Sequence, residues 1–167
     1  MEQKIIKVQD YLNKRREDFI QISHQIHERP ESANEEYFAC ELLSETLRQA
    51  GFDVTVNVAG HETGFVARKA SSKPGPIIGI LAEYDALAGL GHGCGHNIIG
   101  ASSVAAGCAL AQVIEETGGE VVVFGTPAEE GGDNGSAKGS FVREGLFKDV
   151  DVCMMIHPFH TTAKTQP

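Results

Sequence analysis

Ile77-Ile78-Gly79-Ile80-Leu81-Ala82 decides the fold, because no polar side chain interrupts its six positions. A strand with one wet face would alternate apolar and polar residues. This run instead reads as a strand covered on both faces, as in a parallel sheet between helices. Val121-Val122-Val123-Phe124 and Val152-Cys153-Met154-Met155-Ile156 repeat the pattern and predict two more buried strands. Residues 97–116, between the first two runs, are rich in Ala, Gly and Ser and apolar nearly all round, which predicts a closely packed internal helix. A glycine-rich loop at 131–135 and a short helix near 137–144 separate the second run from the third.

On the N-terminal side, Ile5, Val8, Leu12, Phe19, Ile22 and Ile26 recur at helical spacing and predict one amphipathic helix ending before Pro30. Asn34 is the expected N-cap of a second helix, whose buried stripe is Phe38, Leu42, Leu43 and Leu47 and whose stop is Gly51. Residues 52–58 alternate cleanly as a half-exposed strand. Another strand is expected at 63–68, followed by a turn at 71–76. Helices alternating with buried strands place the chain in the α/β class, with a largely parallel mixed central sheet flanked by helices.

At 167 residues the chain buries one substantial core, so residues 1–167 are read as a single unit. A net charge of −9 and the lack of a dense basic run argue against a nucleic-acid partner. No run approaches bilayer-spanning length, and the first seven residues offer no signal-peptide apolar core. Four cysteines are too few for a disulfide scaffold and fit a reducing cytoplasm. Cys40, Cys108 and Cys153 read as core residues. Cys94 alone stands in a polar, glycine-rich setting.

Chemistry-bearing residues collect just past the three apolar runs, where the strand ends of an open α/β sheet open onto a crevice. Glu83 and Asp85 follow the first, with Cys94 and His96 in Gly91-His92-Gly93-Cys94-Gly95-His96-Asn97 beyond them. Glu129-Glu130 follows the second run and His157 the third. Alone, His157 would be a satisfied strand-end histidine and Glu129-Glu130 ordinary solvated surface. Three such groups at three strand ends point to one divalent ion. Thiolate with imidazole favours zinc or a neighbouring transition metal over magnesium or calcium, and zinc is the expected ion, with manganese, cobalt or nickel the alternatives. Of the paired carboxylates, one suits metal ligation and the other a general base. A Cys94–His96 thiol hydrolase is the competing reading, but it leaves Glu129-Glu130 and His157 without roles. His24, His27 and His61 read as surface or satisfied histidines, and His92 and His160 as flanking the site without ligating.

At these residues the chain resembles the peptidase family M-twenty amidohydrolases. His24-Gln25-Ile26-His27-Glu28-Arg29-Pro30-Glu31 is similar to the family's "H-x-x-P-E" ending of its first helix. Ala82-Glu83-Tyr84-Asp85-Ala86-Leu87 resembles its "D-A-L" strand end, and residues 91–97 its "G-H-x-C-G-H" loop. Thr126-Pro127-Ala128-Glu129-Glu130-Gly131-Gly132 resembles "P-A-E-E-G", and Met154-Met155-Ile156-His157-Pro158 the last ligand strand of the family's first half. Some subgroups carry Asp after the loop His and a further His two positions on. Here those positions are Asn97 and Ile99, which resembles the branch of aminobenzoyl-glutamate hydrolases and staphylococcal-type aminohydrolases.

The resemblance implies a zinc-peptidase (phosphorylase/hydrolase-like) catalytic domain. It assigns Cys94, His96, Glu130 and His157 as metal ligands, Glu129 as catalytic base, and Asp85 as the residue orienting a ligand. It implies two divalent ions per intact site, a small-molecule amide or peptide substrate, and a full-length homodimer formed through a lid domain. Against that pattern, residues 1–167 correspond to the N-terminal portion of the catalytic domain, truncated before the lid domain and the C-terminal catalytic segment with its further histidine. The isolated chain is therefore expected to bind metal weakly and turn over little. An inactive fragment or a non-catalytic module binding metal or a partner is the alternative.

Overall fold

The computed structural model describes residues 1–132 and 134–159. In chain order the elements are α1 (Glu2–Lys14), α2 (Arg16–Glu28), α3 (Tyr37–Gln49), β1 (Asp53–Val58), β2 (His61–Ala70), β3 (Ile77–Ala82), α4 (His96–Ala111), α5 (Ile114–Thr117), β4 (Glu120–Gly125), α6 (Ala137–Arg143) and β5 (Val152–Met154). The five strands form one mixed sheet in the order β1-β2-β4-β3-β5. β1 and β2 form an antiparallel hairpin, and β2 runs antiparallel to β4. β4, β3 and β5 are mutually parallel. That parallel trio matters most, since its carboxyl ends lie side by side and bring three loops to one edge.

Burial follows the apolar runs. Val121, Val122, Val123 and Phe124 of β4 are all buried, their side chains alternating between two layers. Val121 and Val123 join Ile26, Leu43, Leu47, Val104 and Cys108 beneath α2, α3 and α4. Val122 and Phe124 meet Ala137 and Phe141 of α6 on the opposite face. Helices thus cover both faces of the central strands. α4 approaches closely: a Cβ on Gly107 would stand 2.5 Å from Val123 Cγ2. Gly107→Ala gains about 1 kcal/mol of helix propensity but overpacks the layer by about 1–3 kcal/mol. A net loss is expected, read as a lower urea midpoint.

Four expectations change. The long N-terminal helix is two, broken at Arg15, where φ is −104° and ψ 8°. The periodic stripe runs through the break, but the charges mark it: Lys14 ends α1 and Glu17 and Asp18 open α2, each suiting its helix dipole. The internal helix also stops early, at Ala111, with α5 separate. Asn34 is not the cap of α3. It holds a left-handed φ of 63°, and the Glu31 carboxylate instead accepts the Phe38 and Ala39 N–H groups, each at 3.0 Å. Finally, β5 is not buried. It is a three-residue edge strand with Val152 and Met154 about half exposed, and Cys153 is exposed rather than in the core. Its composition matches a buried strand, but nothing among the described residues pairs with its outer edge.

Candidate metal centre

His96 is the hub. It is the first residue of α4, reached through Gly95 at φ 79°, and its ring is fully buried. On one side, Nδ1 lies 3.0 Å from both the Asp85 carbonyl and Asp85 Oδ1. Those acceptors fix the tautomer: Nδ1 carries the proton and Nε2 presents a lone pair. Nε2 is buried without a hydrogen-bond partner. Around it stand Glu83 Oε2 at 3.5 Å, Glu129 Oε2 at 3.8 Å and Glu130 Oε1 at 3.8 Å.

The other donors arrive from all three strand ends. Cys94, His96 and Glu130 offer ligand atoms within 4.8 Å of one another, and so do Glu83, His96 and His157. The His157 ring meets the His96 ring edge-on, centroids 5.9 Å apart. Asp85 serves two loops at once, since its Oδ2 also accepts the Glu130 N–H at 3.0 Å. Glu129 differs from Glu130 in its company: it belongs to neither three-residue group, and its Oε1 lies 3.7 Å from Lys138 Nζ.

Electrostatics sharpen the picture. Burial pushes the Asp85 carboxyl up, but the His96 hydrogen bond, the Glu130 N–H and the His96 charge outweigh it and hold it below its ordinary value. Burial pushes His96 down, and the Asp85 hydrogen bond with the Asp85 and Glu83 charges reverses this into a net rise. The Cys94 thiol is pushed up to about 11, first by its hydrogen bond with Glu130, then by burial and the surrounding carboxylates. A thiol so raised is protonated near neutral pH, which argues against a free thiolate nucleophile. Three carboxylates, Glu83, Glu129 and Glu130, around the Nε2 lone pair call for positive charge beyond Lys138. A divalent cation fits this donor set, and sulfur, imidazole and carboxylate together suit zinc or a neighbouring transition metal.

Two residues lay outside the sequence reading of the site. Lys138 of α6 touches Glu83 Oε1. Glu36, fully buried, accepts the Ala128 N–H at 2.9 Å and the Thr63 hydroxyl at 2.7 Å, fastening the turn that presents Glu129 and Glu130. Ala128 holds a left-handed φ of 57° there. Of the flanking histidines, His92 stacks on His27 with centroids 6.2 Å apart and belongs to neither group. His160 lies outside the described residues. His61 is satisfied between Asn34 Oδ1 at 2.7 Å and Ser140 Oγ at 2.9 Å, while His24 and His27 are exposed. Asn97 turns away from the site and donates to Ser23 Oγ at 3.0 Å, tying α4 to α2.

Comparison with known proteins agrees with this architecture. One of the p-aminobenzoyl-glutamate hydrolase polypeptides of Escherichia coli K12 is 39% identical over 170 residues, covering 90% of this chain and 34% of its own length. A protein of methicillin-resistant Staphylococcus aureus described as an aminohydrolase superposes with a TM-score of 0.77 at 28% identity, over 92% of this chain and 41% of its own. The Bacillus subtilis YXEP protein, a dinuclear metal binding peptidase, superposes with a TM-score of 0.72 at 25% identity, over 81% of this chain and 41% of its own. The chain therefore spans well under half the length of each. Among the described residues no helix is long and apolar enough to cross a membrane. Residues 80–166, which carry all three strand-end clusters, match Peptidase family M20/M25/M40, and with the 39% identity to the E. coli hydrolase this establishes that the chain belongs to that family.

Proposed function

We propose that these residues form the metal centre of a hydrolase that cleaves amide bonds in N-acyl amino acids, aminobenzoyl-glutamate-like conjugates or small peptides. The observation that carries this reading is the buried, unpartnered His96 Nε2, faced by donors from three adjacent strand ends. In this reading Cys94, His96, Glu130 and His157 hold divalent metal, zinc first and two ions in the complete site. A divalent cation held there would supply a lowered water pKa and polarisation of the scissile carbonyl. Glu129, which stands beside the donors without joining either group, takes the proton from water and returns it to the leaving amine. Asp85 holds the His96 ring in its ligating tautomer. The activity is assigned to a polypeptide of the relatives' length, in which a lid domain and the remaining catalytic segment complete the site and pair two copies.

Zinc protection of cysteines tests the centre on this chain directly. Alkylation followed peptide by peptide is expected to slow at Cys94 when zinc is present and to continue at exposed Cys153. In a family-length polypeptide, chelation is expected to abolish amide hydrolysis and added zinc to restore it. Equal alkylation of Cys94 with and without zinc, or hydrolysis that survives chelation and dies on alkylation, would reject the reading in favour of a thiol hydrolase.

A further inference from the structure

Glu83 is the charged group the proposed mechanism leaves unused. It is 1% exposed, and neither carboxylate oxygen has a hydrogen bond. A carboxylate is not buried this way unless something charged answers it. Its two oxygens face different partners: Oε1 is in ion-pair contact with Lys138, while Oε2 looks at His96 Nε2 from 3.5 Å. That separation is long for a hydrogen bond. Two atoms each about 2.0–2.2 Å from one tetrahedral ion stand about 3.4 Å apart, so the spacing matches two ligands of a shared cation.

The shared histidine supplies the second argument. Cys94, His96 and Glu130 form one possible ligand group and Glu83, His96 and His157 the other. With Nδ1 committed to Asp85, His96 has a single lone pair, on Nε2, and one lone pair serves one ion. If two ions bind, His96 completes one group only. The 3.5 Å approach of Glu83 Oε2 to Nε2, closer than the 3.8 Å of Glu130 Oε1, favours the group without Cys94 and Glu130. His157 and Glu83 are the donors grouped with His96 there.

We infer that Glu83 is a further metal ligand, binding through Oε2 the ion held by His96 and His157, with Lys138 fixing the carboxylate from Oε1. This rests on the metal-centre reading above. Lys138, 31% exposed at its side chain, is then an anchor on the ligand and not a substitute for the ion.

Cobalt(II) titration of the 167-residue chain tests it, because a thiolate–cobalt charge-transfer band reports Cys94 separately from the ligand-field bands of the whole site. Glu83→Gln is expected to keep the thiolate band, alter the ligand-field bands and weaken zinc binding at least about tenfold in chelator competition. Lys138→Met, which leaves the carboxylate in place, is expected to weaken it less. Unchanged affinity and spectrum in a folded Glu83→Gln variant would overturn the inference and leave the four-ligand centre standing. No cobalt binding and no thiolate band in the wild-type chain would overturn both. Should Glu83→Gln fail to fold, zinc-soaked wild-type crystals decide: anomalous density about 2.2 Å from Glu83 Oε2 is expected, and density only beyond about 3 Å rejects the ligand.

Discussion

Glu129→Gln, in a polypeptide of family length carrying this segment, is expected to lower amide hydrolysis by about 10²–10⁴-fold, the usual contribution of a positioned general base. Zinc content should not change. Gln keeps the shape and one oxygen of Glu but cannot accept a proton, so the substitution removes proton transfer and little else. The surroundings support this separation: Glu129 is outside both ligand groups, and its backbone is held by neighbours the substitution leaves alone, with Glu36 on the Ala128 N–H and Asp85 on the Glu130 N–H. The loss should fall on kcat, since the group acts on the reacting proton rather than on substrate binding. A variant that retains wild-type kcat excludes Glu129 as base. One that loses its zinc as well makes it a ligand instead. Glu130→Gln is the internal contrast, expected to weaken metal binding first.

The central sheet was legible because burial on both faces leaves an unmistakable run of apolar residues, and β3 was placed residue for residue at 77–82. The strand-end rule then carried Cys94, His96, Glu129, Glu130 and His157 to one edge, where the parallel order β4-β3-β5 brings them together. What local sequence could not convey was which neighbours each segment meets. Val152-Cys153-Met154 has the composition of a buried strand, yet it is exposed, since coverage depends on elements elsewhere in space. Glu31 caps α3 from outside the helix, so Asn34, the nearer residue of the right type, drew the expectation. Glu83 was visible beside Asp85, but nothing local separates a buried carboxylate from a wet one. Tyr84 between them turns the other way, its hydroxyl donating to the Thr63 carbonyl at 2.6 Å and its ring stacking on Phe65.

Glu36 is the furthest of these from sequence reasoning, since it reaches a turn 92 positions away. Glu36→Ala is expected to cost about 3 kcal/mol, because it leaves the Ala128 N–H and the Thr63 hydroxyl as buried donors without acceptors and opens a gap at a fully buried site. The Ala128 backbone adds to this, since a non-glycine residue at left-handed φ persists only where its surroundings hold it. Glu36→Gln keeps an oxygen for the Ala128 N–H and a group for Thr63, so it should cost far less. The charge sets the pH dependence. Burial raises the Glu36 carboxyl above its ordinary value, partly offset by the bonds from Thr63 and Ala128. A raised carboxyl means the folded protein holds this proton more tightly than the unfolded chain. Ionised Glu36 therefore costs stability above its folded pKa, and that cost is gone below its unfolded pKa. Urea unfolding at about pH 7 and about pH 4 should show Glu36→Gln gaining on wild type at the higher pH and losing that advantage at the lower. A pH-independent difference between the two would mean that the folded and unfolded chains hold the Glu36 proton equally, and would reject the raised carboxyl. Full stability in Glu36→Ala would mean that the Glu129-Glu130 turn stands without it.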